Sequence, residues 1–326
     1  MANTIVYLSH GGRRYHDQTR YSILTLLALL IRHRRNDVRI VVYTDDPGQV
    51  PPHDLVRAVP VSARDLALWR GPLDYVHRIK LGVLKRASDD LGTPLIYVDS
   101  DTRWLQIPDA PFAALAMDDG DGHGEDGVPP CYLYTIEGAI SPGFFPQYFR
   151  LLQNSRRRLD AWRLPCRPPW TMWNSGTVGI PRRSAGFIDD VLRVTDGLLP
   201  HVTSRNCVEQ LALSLVAASR FDVRPFDACL EHWWPYGAEL PGYLRRFFDP
   251  LPAGLPVAEQ AARAAQFSII EADLRAIQCR PANRLARWGA KVRNSFYKRR
   301  IDLMALALRR RGAAVERAVD GAQRGT

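Results

Sequence analysis

Two aspartates one residue apart, Asp99 and Asp101, close an apolar run in "PLIYVDSDTRWLQ" (94 to 106). Carboxylates that close repel each other unless a positive charge stands between them. A D-x-D pair at the end of a strand suits a hard divalent cation, whose remaining coordination positions take oxygens from a diphosphate. Helix caps or loop acids would give the same three-residue pattern, so the surroundings have to decide. Position favours the cation, because ligands of open, mostly parallel sheets gather outside the carboxyl ends of the strands.

Short β-rich runs alternate with helical spacings, the signature of an α/β fold with a mostly parallel central sheet. "TIVYL" (4 to 8) reads as a strand, residues 18 to 33 as a helix, and "VRIVVYT" (38 to 44) as a central strand. Val76, Ile79, Val83 and Ala87 keep helical spacing before the strand 94 to 98. A further strand is predicted from 130 at "CYLYT", and a strand or turn rich in small residues over 170 to 182. Helices follow at about 187 to 198 and 208 to 218. Beyond "CLEHWWPYG" the chain turns Pro- and Ala-rich, which places a boundary between a catalytic domain, 1 to 255, and a basic helical C-terminal region, 256 to 326.

The chain has 326 residues, 46% of them hydrophobic, enough for a substantial core. No window approaches 18 consecutive apolar residues, and the N-terminus lacks the basic start and small-residue cleavage site of a secretory signal. Five scattered cysteines without a CxxC pair point to reduced thiols in the cytoplasm rather than to zinc or disulfides. The net charge of +10 is concentrated: residues 280 to 311 hold eleven Lys or Arg against Asp302, so the rest of the chain is neutral. Apolar residues at helical spacing in that stretch predict amphipathic helices on an anionic membrane surface, at the inner face of the membrane. Nucleic acid is not an expected partner, because the charge lies at one end with no base-reading module. The formal G-x-G-x-x-G inside the acidic loop 118 to 127 follows no strand and would repel a pyrophosphate.

Taken in order, "VYLSHG", "VRIVVYTDDP", "DYVHRIKLGVLKRA", "PLIYVDSDTRWL", "WNSGTVGIPR", "VEQLALSL" and "EHWW" resemble a bacterial nucleotide-sugar glycosyltransferase with the A-type fold, similar to the glycogenin and lipopolysaccharide galactosyltransferase family. The likeness spans about residues 4 to 248. It implies that Asp99, Asp101 and His232 hold Mn²⁺ or Mg²⁺, and that Arg78 and Lys80 face the diphosphate of a nucleotide sugar, with a UDP-sugar the expected donor. It places Tyr7, Ser9, Ser175 and Gly176 against the donor, and Asn174, Glu209 and Gln210 beside the transferred sugar, with retention of anomeric configuration. The expected acceptor is a glycan or a lipid-linked glycan.

Two departures stand out. No lysine follows His232 in "HWWPYGAEL", and Ser9 and His10 replace the acids expected near the nucleobase. Each residue also has a plainer reading. Asn206 and Glu209 have the spacing of a capping box, "WNSG" that of a simple turn, and His232 among Trp233, Trp234 and Tyr236 could be packed core. A metal-dependent nucleotidyltransferase or phosphohydrolase would use the same D-x-D. A non-enzymatic basic-tailed membrane or nucleic-acid binding protein would need none of it.

Overall fold

The structure, a computed structural model, describes residues 3–92, 94–117, 128–202 and 205–281. In chain order the strands are β1 (Asn3–Ser9), β2 (Val38–Thr44), β3 (Val56–Pro60), β4 (Leu95–Val98), β5 (Thr102–Trp104), β6 (Pro130–Leu133), β7 (Ile136–Ala139), β8 (Thr171–Trp173), β9 (Thr177–Ile180), β10 (Asp222–Pro225) and β11 (Leu230–His232). The helices are α1 (Arg13–Arg32), α2 (Ala63–Arg70), α3 (Arg78–Leu91), α4 (Asp109–Ala116), α5 (Pro146–Asn154), α6 (Arg156–Ala161), α7 (Phe187–Leu198), α8 (Val208–Arg220), α9 (Leu240–Phe248), α10 (Val257–Gln266) and α11 (Glu271–Cys279).

Seven strands form the central sheet in the order β10-β6-β9-β4-β1-β2-β3. All neighbours run parallel except β9, which lies antiparallel between β4 and β6. The mostly parallel sheet expected from the sequence is therefore present. Its inner strands are apolar on both faces because helices cover both: Val6 and Val41 meet the core under α3, α7 and α8, while Ile5 and Ile40 meet the core under α1 and α9. Strand β4 sits in the middle of this sheet, with Leu95, Ile96 and Val98 fully buried. Its carboxyl end is where the chain first becomes free to carry charge.

Two small antiparallel pairs sit beside the sheet. β5 pairs with β11 in a register that sets Thr102 opposite His232. β7 pairs with β8 through a bulge between Ile136 and Gly138. The predicted element over 170 to 182 resolves into β8, a turn at 174–176 and β9. α1 begins at Arg13 rather than Gln18, because it starts straight after Gly11 and Gly12 (φ 88° and 117°) with no side-chain cap to mark its first turn.

Residues 256 to 281, assigned by sequence to the C-terminal region, share the core of α1. Ala261, Ala264 and Leu274 are buried there, and the Tyr21 hydroxyl donates to the Phe267 carbonyl at 2.9 Å. The basic stretch from 282 onward and the acidic loop 118 to 127 lie outside the described residues. No described helix is long and apolar enough to cross a membrane.

α3 must be held firmly, since it carries both predicted basic residues. A Cβ added to Gly82 would overlap the indole of Trp69 on α2, so the two helices touch at a point that only glycine allows. Gly82→Val is expected to cost about 1–3 kcal/mol of stability by overpacking this contact. Urea unfolding checks it, and an unchanged midpoint would show that α2 can lift off α3.

Candidate functional site

Asp99 and Asp101 follow β4 directly, and their side chains are 22% and 18% exposed. Backbone bonds fix both. The Asp99 N–H donates to the Gly176 carbonyl at 2.8 Å, and the Asp101 carbonyl accepts from Trp233 N–H at 2.8 Å. His232 arrives on the last residue of β11, its Nε2 3.2 Å from Asp101 Oδ1 and 4.0 Å from Asp99 Oδ2. One ligand atom from each of the three lies within 4.8 Å of the others. The Tyr134 ring stands edge-on to the imidazole at 5.1 Å.

Glycine is essential at 176, because a Cβ there would overlap Cε1 and Nδ1 of His232. The ring fills the space that the missing side chain leaves. Nδ1 is buried without a hydrogen-bond partner, and Nε2 faces the carboxylates. Two carboxylates and one imidazole form a donor set that Mn²⁺ accepts readily. The residues present thus fit a divalent cation.

Lys80 reaches the same cluster from the first turn of α3. Its Nζ donates to Asp99 Oδ2 at 2.8 Å, to the Ser175 carbonyl at 2.9 Å and to Ser175 Oγ at 3.3 Å. Burial alone would lower its pKa, but Asp99, Glu209 and Asp101 outweigh that and hold it above the ordinary lysine value. Burial likewise opposes the charged form of Asp101, yet the neighbouring His232 keeps its carboxyl below the usual range. Tyr97 OH donates to Asp99 Oδ1 at 3.0 Å, and desolvation followed by the Asp99 charge pushes that phenol well up.

A second set of groups braces the turn 174–176. Asn174 Oδ1 accepts from Gly176 N–H at 2.8 Å, and Gln210 Oε1 from Ser175 N–H at 3.3 Å. Both side-chain amides then donate to one carboxylate, Glu137, at 2.7 Å and 2.9 Å. Sequence reasoning missed Glu137. The signal was an acid followed by glycine straight after "CYLYT", where the β7 bulge aims its side chain at the two amides.

Glu209 is 4% exposed, and Tyr75 OH donates to its Oε2. α8 has Cys207 at its N-cap with no side-chain cap bond, so the capping box open to Asn206 and Glu209 does not form. Tyr148 on α5 is buried, which raises its phenol pKa first, and the charges of Cys207, Glu209 and Glu137 push it further.

Three predicted residues sit elsewhere. Residues two apart on a helix face opposite ways, and Arg78 accordingly turns from the cluster to grip Asp196 in a fork of 2.7 and 2.8 Å. Tyr7 is fully buried, its hydroxyl accepting from Trp104 Nε1 at 2.6 Å and paired with Ser22 at 2.9 Å. Burial removes its ring from any ligand. Ser9 lies at the same carboxyl edge of the sheet but is only 2% exposed, with Oγ 2.8 Å from His16 Nδ1. His16 in turn faces Asp45 at 3.3 Å.

No protein-family model matches the chain, and no curated protein matches its sequence. Solved structures do match. The chain is similar to the galactosyltransferase LgtC in complex with donor and acceptor sugar analogs, at 11% identity and a TM-score of 0.38, over 84% of this chain and 99% of that one. It is also similar to a glycosyltransferase involved in glycosylation of the major capsid of PBCV-1, at 12% identity and a TM-score of 0.34, over 81% and 100%. A third similar structure is the bifunctional glycosyltransferase WbbM, at 11% identity and a TM-score of 0.37. That match covers 69% of this chain but 38% of WbbM.

Gly176→Ala would displace the His232 ring without touching either carboxylate. The expected result is Mn²⁺ affinity about tenfold weaker or worse, measured by calorimetric titration, since a displaced ligand costs 10–100-fold. Unchanged affinity would exclude His232 from the cation site.

Proposed function

We propose that this chain is a divalent-cation-dependent glycosyltransferase that moves a sugar from a nucleoside diphosphate donor to an acceptor hydroxyl. The observation that carries the reading is the convergence of Asp99, Asp101, His232 and Lys80 on one point, beside the brace of Glu137, Asn174 and Gln210. A cation bound there would neutralise charge on the leaving diphosphate. Lys80 offers a second, fixed positive charge against Asp99 Oδ2. Asn174 and Gln210, buried, and Glu137, half-buried, are polar groups with defined orientation, suited to hydrogen-bond a sugar's hydroxyls and set its anomeric carbon in line with the acceptor. Glu209, held by Tyr75, adds negative charge where positive charge would develop on the sugar.

The donor is read as a UDP-sugar and the outcome as retention, both carried over from the sequence resemblance. Mn²⁺ suits the mixed oxygen and nitrogen donors better than Mg²⁺, which prefers oxygen. The basic stretch 280 to 311 suits an anionic membrane surface, where a lipid-linked acceptor would be presented.

Incubating the full chain with UDP-sugars, with and without Mn²⁺, tests the reading. UDP release that requires Mn²⁺ and disappears in Asp101→Ala is expected. Release of sugar phosphate and UMP would establish the nucleotidyltransferase or phosphohydrolase instead, and failure to bind any nucleotide sugar would leave a non-enzymatic protein.

Glu137 supplies a sharper check, because it holds both amides yet faces no cation ligand. Glu137→Gln should lower kcat about 100-fold through misplacement of the sugar, with the melting temperature unchanged. A lower melting temperature with normal kcat would make the carboxylate a brace for the fold alone.

A further inference from the structure

Many arginines on the surface of this protein pair with acids. Arg13 meets Asp17, Arg35 meets Asp37, Arg86 meets Asp90, Arg224 meets Asp222 and Arg246 meets Asp273. Others stand without an ion pair, and four of these come together at one place. Arg150 in the middle of α5 and Arg156, Arg157 and Arg158 on α6 line a single groove of about 800 Å³, which His201 also lines. None of the four arginines makes an ion pair with a described residue, and no carboxylate is among the described residues lining the groove. Arg156 donates only to the amide oxygen of Gln153, and Arg158 lies over the Trp162 ring at 6.0 Å. Like charges gathered in a concavity repel, so the arrangement is favourable when an anion occupies it.

The groove adjoins the candidate site through one helix. α5 buries Tyr148 in the core that also holds Trp173 and Val208, the neighbours of Asn174 and Glu209, and lines the groove with Gln147, Arg150 and Leu151. Volumes of about 300–1,000 Å³ hold small ligands, and guanidinium forks match phosphate oxygens two at a time. A concave surface lined by arginines and amides suits a discrete anionic group better than a flat bilayer, which takes an apolar face flanked by basic residues.

We propose that this groove binds a phosphate or diphosphate group carried by the acceptor, so that the acceptor is an anionic glycan or glycolipid. The inference rests on the glycosyltransferase reading for the word acceptor, and on the arginines alone for the anion.

The test is calorimetric titration of the full chain in EDTA, comparing wild type with the double variant Arg150→Gln, Arg157→Gln. Both positions are exposed and lack ion pairs, so folding should be retained, as the melting temperature will show. Inorganic pyrophosphate, farnesyl diphosphate, glucose 1-phosphate and phosphatidylglycerol vesicles are the probes. Affinity for at least one of the first three should fall about tenfold or more in the variant, as expected for losing charge-assisted bonds. A fall confined to farnesyl diphosphate identifies a lipid-linked diphosphate, and one confined to glucose 1-phosphate a phosphorylated glycan. Equal affinities for all three in the two proteins would overturn the groove, as would a loss seen only with phosphatidylglycerol vesicles, which would make it a membrane contact. UDP release with Mn²⁺ in wild type is read separately, so failure of the enzymatic reading is distinguishable from failure of the groove.

Discussion

The structure is organised around the cost of placing two carboxylates, Asp99 and Asp101, side by side at the end of a buried strand. Removing a charge from water costs several kcal/mol unless partners replace the solvent. Here the partners come from three separate parts of the chain: Lys80 from α3, His232 from β11 and Tyr97 from β4 itself. Each must be delivered to within hydrogen-bond reach, and much of the nearby backbone exists to deliver it. β11 is only three residues long, and its pairing with β5 sets His232 against the residue following Asp101.

Glycine and amides make the delivery possible. The Asn174–Gly176 turn approaches the cluster so closely that position 176 has no room for a side chain. A turn packed that tightly would leave backbone N–H groups without water, and the side-chain oxygens of Asn174 and Gln210 accept two of them. Glu137 then takes the amide hydrogens that remain. The result is a closed polar network in which every orientation is determined by another bond, which is how a buried polar cluster becomes rigid.

Much of this was legible in sequence because it depends on local pattern. Strand 38 to 44 and helix 187 to 198 are recovered to the residue, since continuous apolar runs and helical spacing mark them without help from the rest of the chain. Asp99 and Asp101 were marked by residue type and position, His232 by the family resemblance, and the three lie together. The losses are all relational. Arg78 and Lys80 look equivalent on paper, and only the helix, with Asp196 waiting on its other face, separates them. Tyr7 looks like a ligand-facing strand end until Ser22 and Trp104 occupy its hydroxyl. Glu137 carried only an acid-glycine signal, because a bulge, which depends on the pairing of β7 with β8, decides where it points.

That division explains why Lys80 and Arg78 have different work in one helix. Arg78 ties α3 to Asp196 on α7 and to the Trp69 carbonyl on α2, so the helix is held from outside. Lys80 can then remain 13% exposed against Asp99 without collapsing onto it or escaping to solvent. A fixed ammonium 2.8 Å away keeps Asp99 compensated, so a cation bound as proposed would enter and leave without the fold having to absorb two unpaired charges. In the proposed reaction an anionic diphosphate would meet Lys80 already in place, leaving little reorganisation for the chemical step.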